Sequence, residues 1–281
     1  MLATFALVLG ITATAVVQRQ DSLPPHLRDR GRGVRTSEFQ TYVRRHQLLL
    51  LPAASYLKDH DFEYNPLDWG FGTQTDLRGK LSGSSAQLLI AYGVTDWLAF
   101  ELEGSYLSAR FEKDARDTTV TPARIRESGL GDFAGQIRVR FGQERGRRPE
   151  IWGSLEVIPR NMKSKVLIGD KITDVKGEFG LTRGFHFGTM TLKTTVEYNH
   201  GDHHWDLGET SLEYLRRLSP DFRLLLAIEG GESGAPDEWV FVTAGQWRVA
   251  NGCFLKFANG FGLMSKSTDW EPQLGILLEV P

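Results

Sequence analysis

The chain has a single cysteine, Cys253, so no internal disulfide can staple it and a disulfide scaffold is excluded. After the first seventeen residues no apolar run approaches the ~18–20 residues that a helix needs to span a bilayer. A helical membrane protein is therefore excluded as well. Charge of one sign is also missing: 33 Lys and Arg stand against 35 Asp and Glu, a net of −2, which does not suit a chain built to bind nucleic acid. Catalytic signatures are absent. There is no Gly-x-Ser-x-Gly elbow and no HExxH pair, and Glu229-Gly230-Gly231-Glu232-Ser233-Gly234 offers neither a lysine nor a following helix for phosphate. His26, His46, His60 and His186 are scattered. The expectation is a protein that is not an enzyme and that carries no cofactor and no metal.

What the chain does have is 281 residues, 41% of them hydrophobic and 11% aromatic, with 30 glycines. All-β barrels reach this length as one domain. Met1 to Val17 is apolar, is followed by polar Gln18–Ser22, and carries the small-x-small pattern Ala13-Thr14-Ala15, so residues 1–17 are expected to be a signal peptide. Residues 18–45 then read as a polar periplasmic segment, with Pro24-Pro25 stopping regular structure and Arg28, Arg30, Arg32 and Arg35 forming a basic run. Such a run is either solvated or partnered by acids elsewhere in the chain.

From residue 46 to 281 the dominant period is two. In Trp97–Leu107, Leu98, Phe100, Leu102 and Tyr106 alternate with Ala99, Glu101, Glu103 and Ser105. Phe133–Phe141 and Met190–Tyr198 alternate in the same way, and similar segments bring the count to about twelve strands. Pro52 weakens the first of them, because proline cannot donate to a ladder. Tight connections at 93–96, 184–188, 219–221 and 250–252, with a longer basic one at Gly142–Pro149, alternate with long polar ones near 57–80, 108–127, 159–174, 199–207, 230–237 and 263–270. A secreted β-sandwich would show the same alternation of residues but has no reason to alternate its loops. A barrel in an outer membrane does, because its periplasmic turns are short and its extracellular loops long. The fold expected is all-β, a single closed antiparallel transmembrane β-barrel of about 12 strands in the outer membrane of a Gram-negative bacterium. Tyr92, Trp97, Phe141, Phe222, Trp239, Trp247 and Trp270 suit its interfacial girdles.

The polar positions then face a lumen. Its candidate lining is Glu101, Glu103, Gln136, Arg138, Arg140, Glu156, Glu178, Lys193, Glu197, Glu213, Arg223, Glu229 and Lys256, with Lys176 and Glu279 in the same phase. Twelve strands lie between barrels filled by side chains and barrels with an aqueous channel, so two functions stay open. One is a narrow pore or transporter for small solutes through a mixed-charge lumen. The other is a closed structural or binding barrel, its lumen neutralised by ion pairs and entered from the periplasmic side by the Arg28–Arg35 segment. His200-Gly201-Asp202-His203-His204 could hold a metal, but a solvated loop is the expected state.

Three short motifs carry a resemblance: Tyr92-Gly93-Val94-Thr95-Asp96-Trp97-Leu98, Gly129-Leu130-Gly131-Asp132, and Phe261-Gly262-Leu263 with Asp269-Trp270 and Leu274-Gly275. Over roughly residues 80 to 280 the chain resembles the exported barrels of the phenol-degradation meta-pathway outer-membrane family. The resemblance implies a twelve-or-so-stranded barrel with a transport role, and it implies that Asp132 faces the lumen near the extracellular rim. The partners expected are outer-membrane lipid, the barrel-insertion machinery and a small-molecule solute. Such barrels usually end in an aromatic residue, whereas this chain ends Leu278-Glu279-Val280-Pro281.

Overall fold

A computed structural model describes residues 23–38, 41–67, 69–72, 76–160, 165–168, 173–199, 204–231, 239–264 and 267–281. The apolar segment 1–17 lies outside the described residues, and so do residues 200–203 of the histidine motif. A 3-10 turn at Pro25–Leu27 leads into a short hairpin, β1 (Val34–Arg35) and β2 (Tyr42–Val43). Twelve longer strands follow: β3 (Leu48–Tyr64), β4 (Leu77–Gly93), β5 (Leu98–Glu112), β6 (Arg124–Gly142), β7 (Glu150–Ile158), β8 (Asp174–Phe185), β9 (Gly188–Asn199), β10 (His204–Arg217), β11 (Phe222–Gly230), β12 (Val240–Ala250), β13 (Cys253–Gly262) and β14 (Trp270–Val280). Each pairs antiparallel with its neighbours in sequence, and β14 pairs with β3, so the sheet closes into a twelve-stranded barrel. The closed twelve-stranded barrel is the expected fold, and the alternative of a sandwich is excluded.

Closure leaves no sheet edge to satisfy, which is what a β protein in hydrocarbon requires. The outward positions are apolar and exposed, among them Phe100, Leu102, Tyr106, Phe133 and Ile137. From Trp97 to Tyr106 the chain advances nine residues. At ~3.4 Å per residue and a tilt of ~40° that is about 23 Å of height, close to the ~25 Å apolar band of such barrels. Tyr92, Trp97, Phe141 and Trp247 stand exposed at the short-turn end, and Trp270 at the other.

One expectation changes, one feature is new and one alternative is decided. The long connections near 57–80 and 108–127 shrink to 65–76 and 113–123, because β3 to β6 continue past the apolar band. Above the band both faces of a strand meet polar surroundings, so Lys58–Glu63 pairs as strand without any alternation to mark it. The inside of that projecting sheet holds an aromatic cluster, with Phe111 fully buried 4.7 Å from Tyr64 and 4.8 Å from Trp69, ring centre to ring centre. Second, Leu48-Leu49-Leu50-Leu51 is apolar on both faces, because Leu49 and Leu51 pack inside the barrel instead of facing water. Third, the described part of the 18–45 segment is not a solvated linker. Leu23, Asp29, Arg30, Val34, Arg35, Thr36 and Thr41 to Val43 are buried, whereas Arg28 and Arg32 are exposed.

Candidate functional site: a hairpin inside the barrel

The β1–β2 hairpin sits in the lumen at the short-turn end, and local chemistry explains why it stays there. The chain enters β3 through His46, which takes the left-handed φ of 59°, a region that histidine tolerates better than most residues. The His46 amide donates to the Gly93 carbonyl at 2.6 Å, and the Gly93 amide donates to the Gln47 carbonyl at 3.1 Å. A side chain at Gly93 would collide with the carbonyl of Arg44, and one at Gly184 would collide with the backbone of His26. Glycine at these two positions lets the segment lie directly on the barrel wall.

The wall has two characters. On β3, β4, β5, β13 and β14 it is apolar: Leu49, Leu51, Leu89, Ala91, Ala99, Phe254 and Leu277 enclose Val34 and Val43 of the hairpin. A second apolar patch on β11 and β12 comprises Leu225, Ala227, Val242 and Ala244. Elsewhere around the lumen, and at Glu101 of β5 and Lys256 of β13 beside the apolar positions, the wall is charged, and there the hairpin is held by ions. Arg35 reaches both carboxylate oxygens of Glu213 at 2.6 Å, with its guanidinium 5.3 Å over the Trp152 ring. Arg30 lies 2.8 Å from Glu144 and 3.4 Å from Glu150. Glu150 also faces Arg140 at 3.2 Å. The Ser37 amide and hydroxyl both donate to Glu101, at 2.9 and 2.7 Å. Lys256 donates to Glu38 and Thr41, each at 2.9 Å, and Asp29 accepts from the Arg217 amide at 2.8 Å.

From Glu101 a chain of alternating charge climbs the wall. Arg138 stands 3.1 Å from Glu101 and 3.0 Å from Glu178, and Lys193 stands 3.8 Å from Glu178 and 3.5 Å from Glu209. Buried charges persist where partners and hydrogen bonds compensate for lost water, and the hairpin supplies part of that compensation. One cavity between hairpin and wall, lined by Glu38, Leu51, Ala53, Ala244 and Lys256, is about 10 Å³, room for at most a single water.

The remaining lumen candidates lie farther along the same inner face. Gln136 donates to Glu156, and Lys176 pairs with Glu197 at 2.9 Å. Glu103 follows Glu101 in phase on β5, Arg223 sits opposite Gln246, and Glu229 sits opposite Ser211. Glu279 accepts from Gln47 at 3.1 Å beside the base of β3. Asp132 is different. The β5–β6 register shifts between Gly104 and Tyr106, opposite Phe133 and Leu130, so Asp132 falls at an irregularity where alternation no longer dictates its direction. Pattern reading missed Glu144, Glu150 and Trp152, and it missed Ser37 and Glu38 on the hairpin. One signal was available: Glu144 is the lone acid in the basic turn 142–149. Cys253 starts β13 as a half-buried free thiol.

A closed, even-stranded antiparallel barrel with an apolar outer band and a charged interior is an outer-membrane β-barrel of the Gram-negative type. Among solved structures, the chain is similar to an outer-membrane channel from Pseudomonas putida F1, at 12% identity and a TM-score of 0.60, covering 88% of this chain and all of that one. Weaker likenesses are the translocator domain of the autotransporter NalP from Neisseria meningitidis (12% identity, 83% of this chain and 88% of that one, TM-score 0.49) and the toluene transporter TodX of P. putida (9%, 92% and 97%, TM-score 0.38). No protein-family model matches the chain, and no curated protein matches it in sequence.

Proposed function

We propose that this protein is an outer-membrane channel for small solutes whose N-terminal segment closes it from the periplasmic side. The observation that carries the reading is the hairpin itself, a separate piece of chain lodged in the short-turn end of the lumen and tied to the wall by ion pairs. The fold shared with the P. putida F1 outer-membrane channel supports it at the level of architecture. The resemblance to the phenol-degradation meta-pathway barrels supports a transport role, with export through residues 1–17 and assembly by the barrel-insertion machinery. Catalysis forms no part of the proposal.

The charge of the lumen suggests which solutes it favours. Beyond the hairpin, toward the long-loop end, Glu103, Glu156, Glu197, Glu209, Glu229 and Glu271 share the inner face with Lys176 and Lys193. An acidic vestibule concentrates cations and repels anions, so cationic and neutral solutes are the expected cargo. The burial and ion pairing of the hairpin against the wall support a second reading, a barrel that stays shut and serves a structural role.

Planar-bilayer recording separates the two. The full chain is expected to conduct rarely. Deletion of residues 18–40 is expected to raise conductance several-fold, with a reversal potential favouring cations. A deletion variant that inserts, shows heat-modifiable gel migration and still does not conduct would overturn the channel reading in favour of the closed barrel.

A further inference from the structure

On β3 to β6 the outer face above the apolar band is not neutral, and the strand register orders it in rows. The row Ala54, Ala86, Tyr106 and Leu130 is apolar. One step farther from the membrane come Tyr56, Ser84, Ser108 and Ser128. The next row is Lys58, Ser82, Arg110 and Arg126, and above it stand Lys80, Glu112 and Arg124. All five cations are exposed. Two carboxylates stand in these rows: Glu112, which pairs with Arg110 and, at 3.3 Å, with Arg124, and Asp61, in the β3 bulge opposite Lys80, which pairs with Arg78 of β4. Two rows of outward side chains therefore carry five positive charges and two negative. Nearby acids have partners of their own: Glu63 pairs with Arg78, Asp114 pairs with Arg116, and Asp269 is hydrogen-bonded to His60.

Among the described residues, the long-loop ends of β10 and β13 carry no such rows. The outward positions toward the long-loop end of β10 and β13 are Trp205, Leu207, Phe261 and, just beyond β13, Leu263, all exposed and apolar. The basic sector is continuous with the lipid-facing band through the serine row. It stands where the polar headgroups of the outer leaflet meet the barrel. Long Arg and Lys stems lie along apolar surface and present their charge at the headgroup level, and clustered cations beside a membrane surface recognise anionic headgroups. Guanidinium pairs in particular match phosphate oxygens two at a time.

We propose that this sector, Lys58, Lys80, Arg110, Arg124 and Arg126, binds the phosphate groups of an anionic glycolipid of the outer leaflet. The occupant is lipid because the cations face outward, continue the lipid-facing surface and stand apart from the lumen. The proposal does not depend on whether the lumen conducts.

The test uses the full chain, folded in neutral detergent, with diphosphorylated lipid A, its dephosphorylated form and inorganic phosphate as probes. Wild type is expected to bind the diphosphorylated form at least tenfold more tightly than the dephosphorylated one. The double variant R110E/R126E, and independently K58E/K80E, should lose that preference while keeping heat-modifiable migration. R147E, which makes a charge change at the opposite end of the barrel, should retain it. Equal binding of the two lipid forms would overturn the proposal. So would an unchanged preference in both reversal variants, an equal loss in R147E, or full displacement of the lipid by millimolar inorganic phosphate.

Discussion

Two ion pairs in this protein have the same length and opposite surroundings. Arg35 meets Glu213 at 2.6 Å with side chains 4% and 2% exposed, while Arg116 meets Asp114 at 2.6 Å with side chains 82% and 21% exposed. The first joins the hairpin to a wall deep in the lumen, and the second decorates the 113–123 loop. Distance alone would rank them equal. Burial separates them: a buried charge that loses its partner has no water to turn to, whereas an exposed one is rehydrated at once. The same contrast divides the molecule, since the interior pairs hold a part in place and the exterior ones leave it free.

Breaking the buried pair gives the largest effect. Glu213→Ala removes the carboxylate that Arg35 hydrogen-bonds inside the barrel, a loss of about 3–5 kcal/mol if nothing moves. The hairpin can escape that cost by leaving, because its remaining contacts are the Val34 and Val43 packing and a handful of polar links. The expected outcome is therefore frequent channel opening in bilayer recordings. A closed trace together with an unaltered unfolding midpoint would show that the pair contributes little.

A smaller effect is expected from the glycines under the hairpin. Gly93→Val and Gly184→Val each place a side chain against the backbone of the N-terminal segment. Neither removes a charge, so they displace the segment without orphaning an ion, and openings should be more frequent than in wild type but fewer than in Glu213→Ala. If Gly93→Val stays as closed as wild type, the close approach of Arg44 is not what seats the segment.

The exposed pair should respond least. Arg116→Ala is expected to leave conductance and thermal midpoint unchanged. Its partner still reports the contact, because the Arg116 side-chain hydrogen bond holds the Asp114 carboxyl down at about 2, from the ordinary 3.8. The folded value is depressed, so the pair's contribution is complete above the unfolded value near 3.8 and fades as pH falls toward 2. An NMR titration of Asp114 should show this low midpoint in wild type and a return toward 3.8 in Arg116→Ala.

Much of the barrel was legible residue by residue. Leu98–Tyr106 announces a strand with one face in lipid, and Asn251-Gly252 announces the tight turn between β12 and β13. The charged inner phase on β5 to β10 was legible for the same reason, since hydrocarbon tolerates charge on one side of the sheet only. Leu48–Leu51 was harder to read, because a strand apolar on both faces carries no period. The extensions of β3 to β6 were hidden too, because above the lipid neither face is constrained to be apolar. The partner of Arg35 lies 178 residues away, and no local pattern in Glu213 distinguishes it from Glu229 on the next strand.

The sequence by itself therefore determined the architecture of the wall: a period of two, turns of alternating length and an even strand count are local properties, enforced by the hydrogen-bonding demands of a bilayer. Only the tertiary structure decided that the lumen is half apolar and occupied, which of its acids meet Arg30 and Arg35, and that five outward cations fall into adjacent rows. Each of these depends on register between distant segments. Register is set by the closure of the whole sheet, and no single strand contains it.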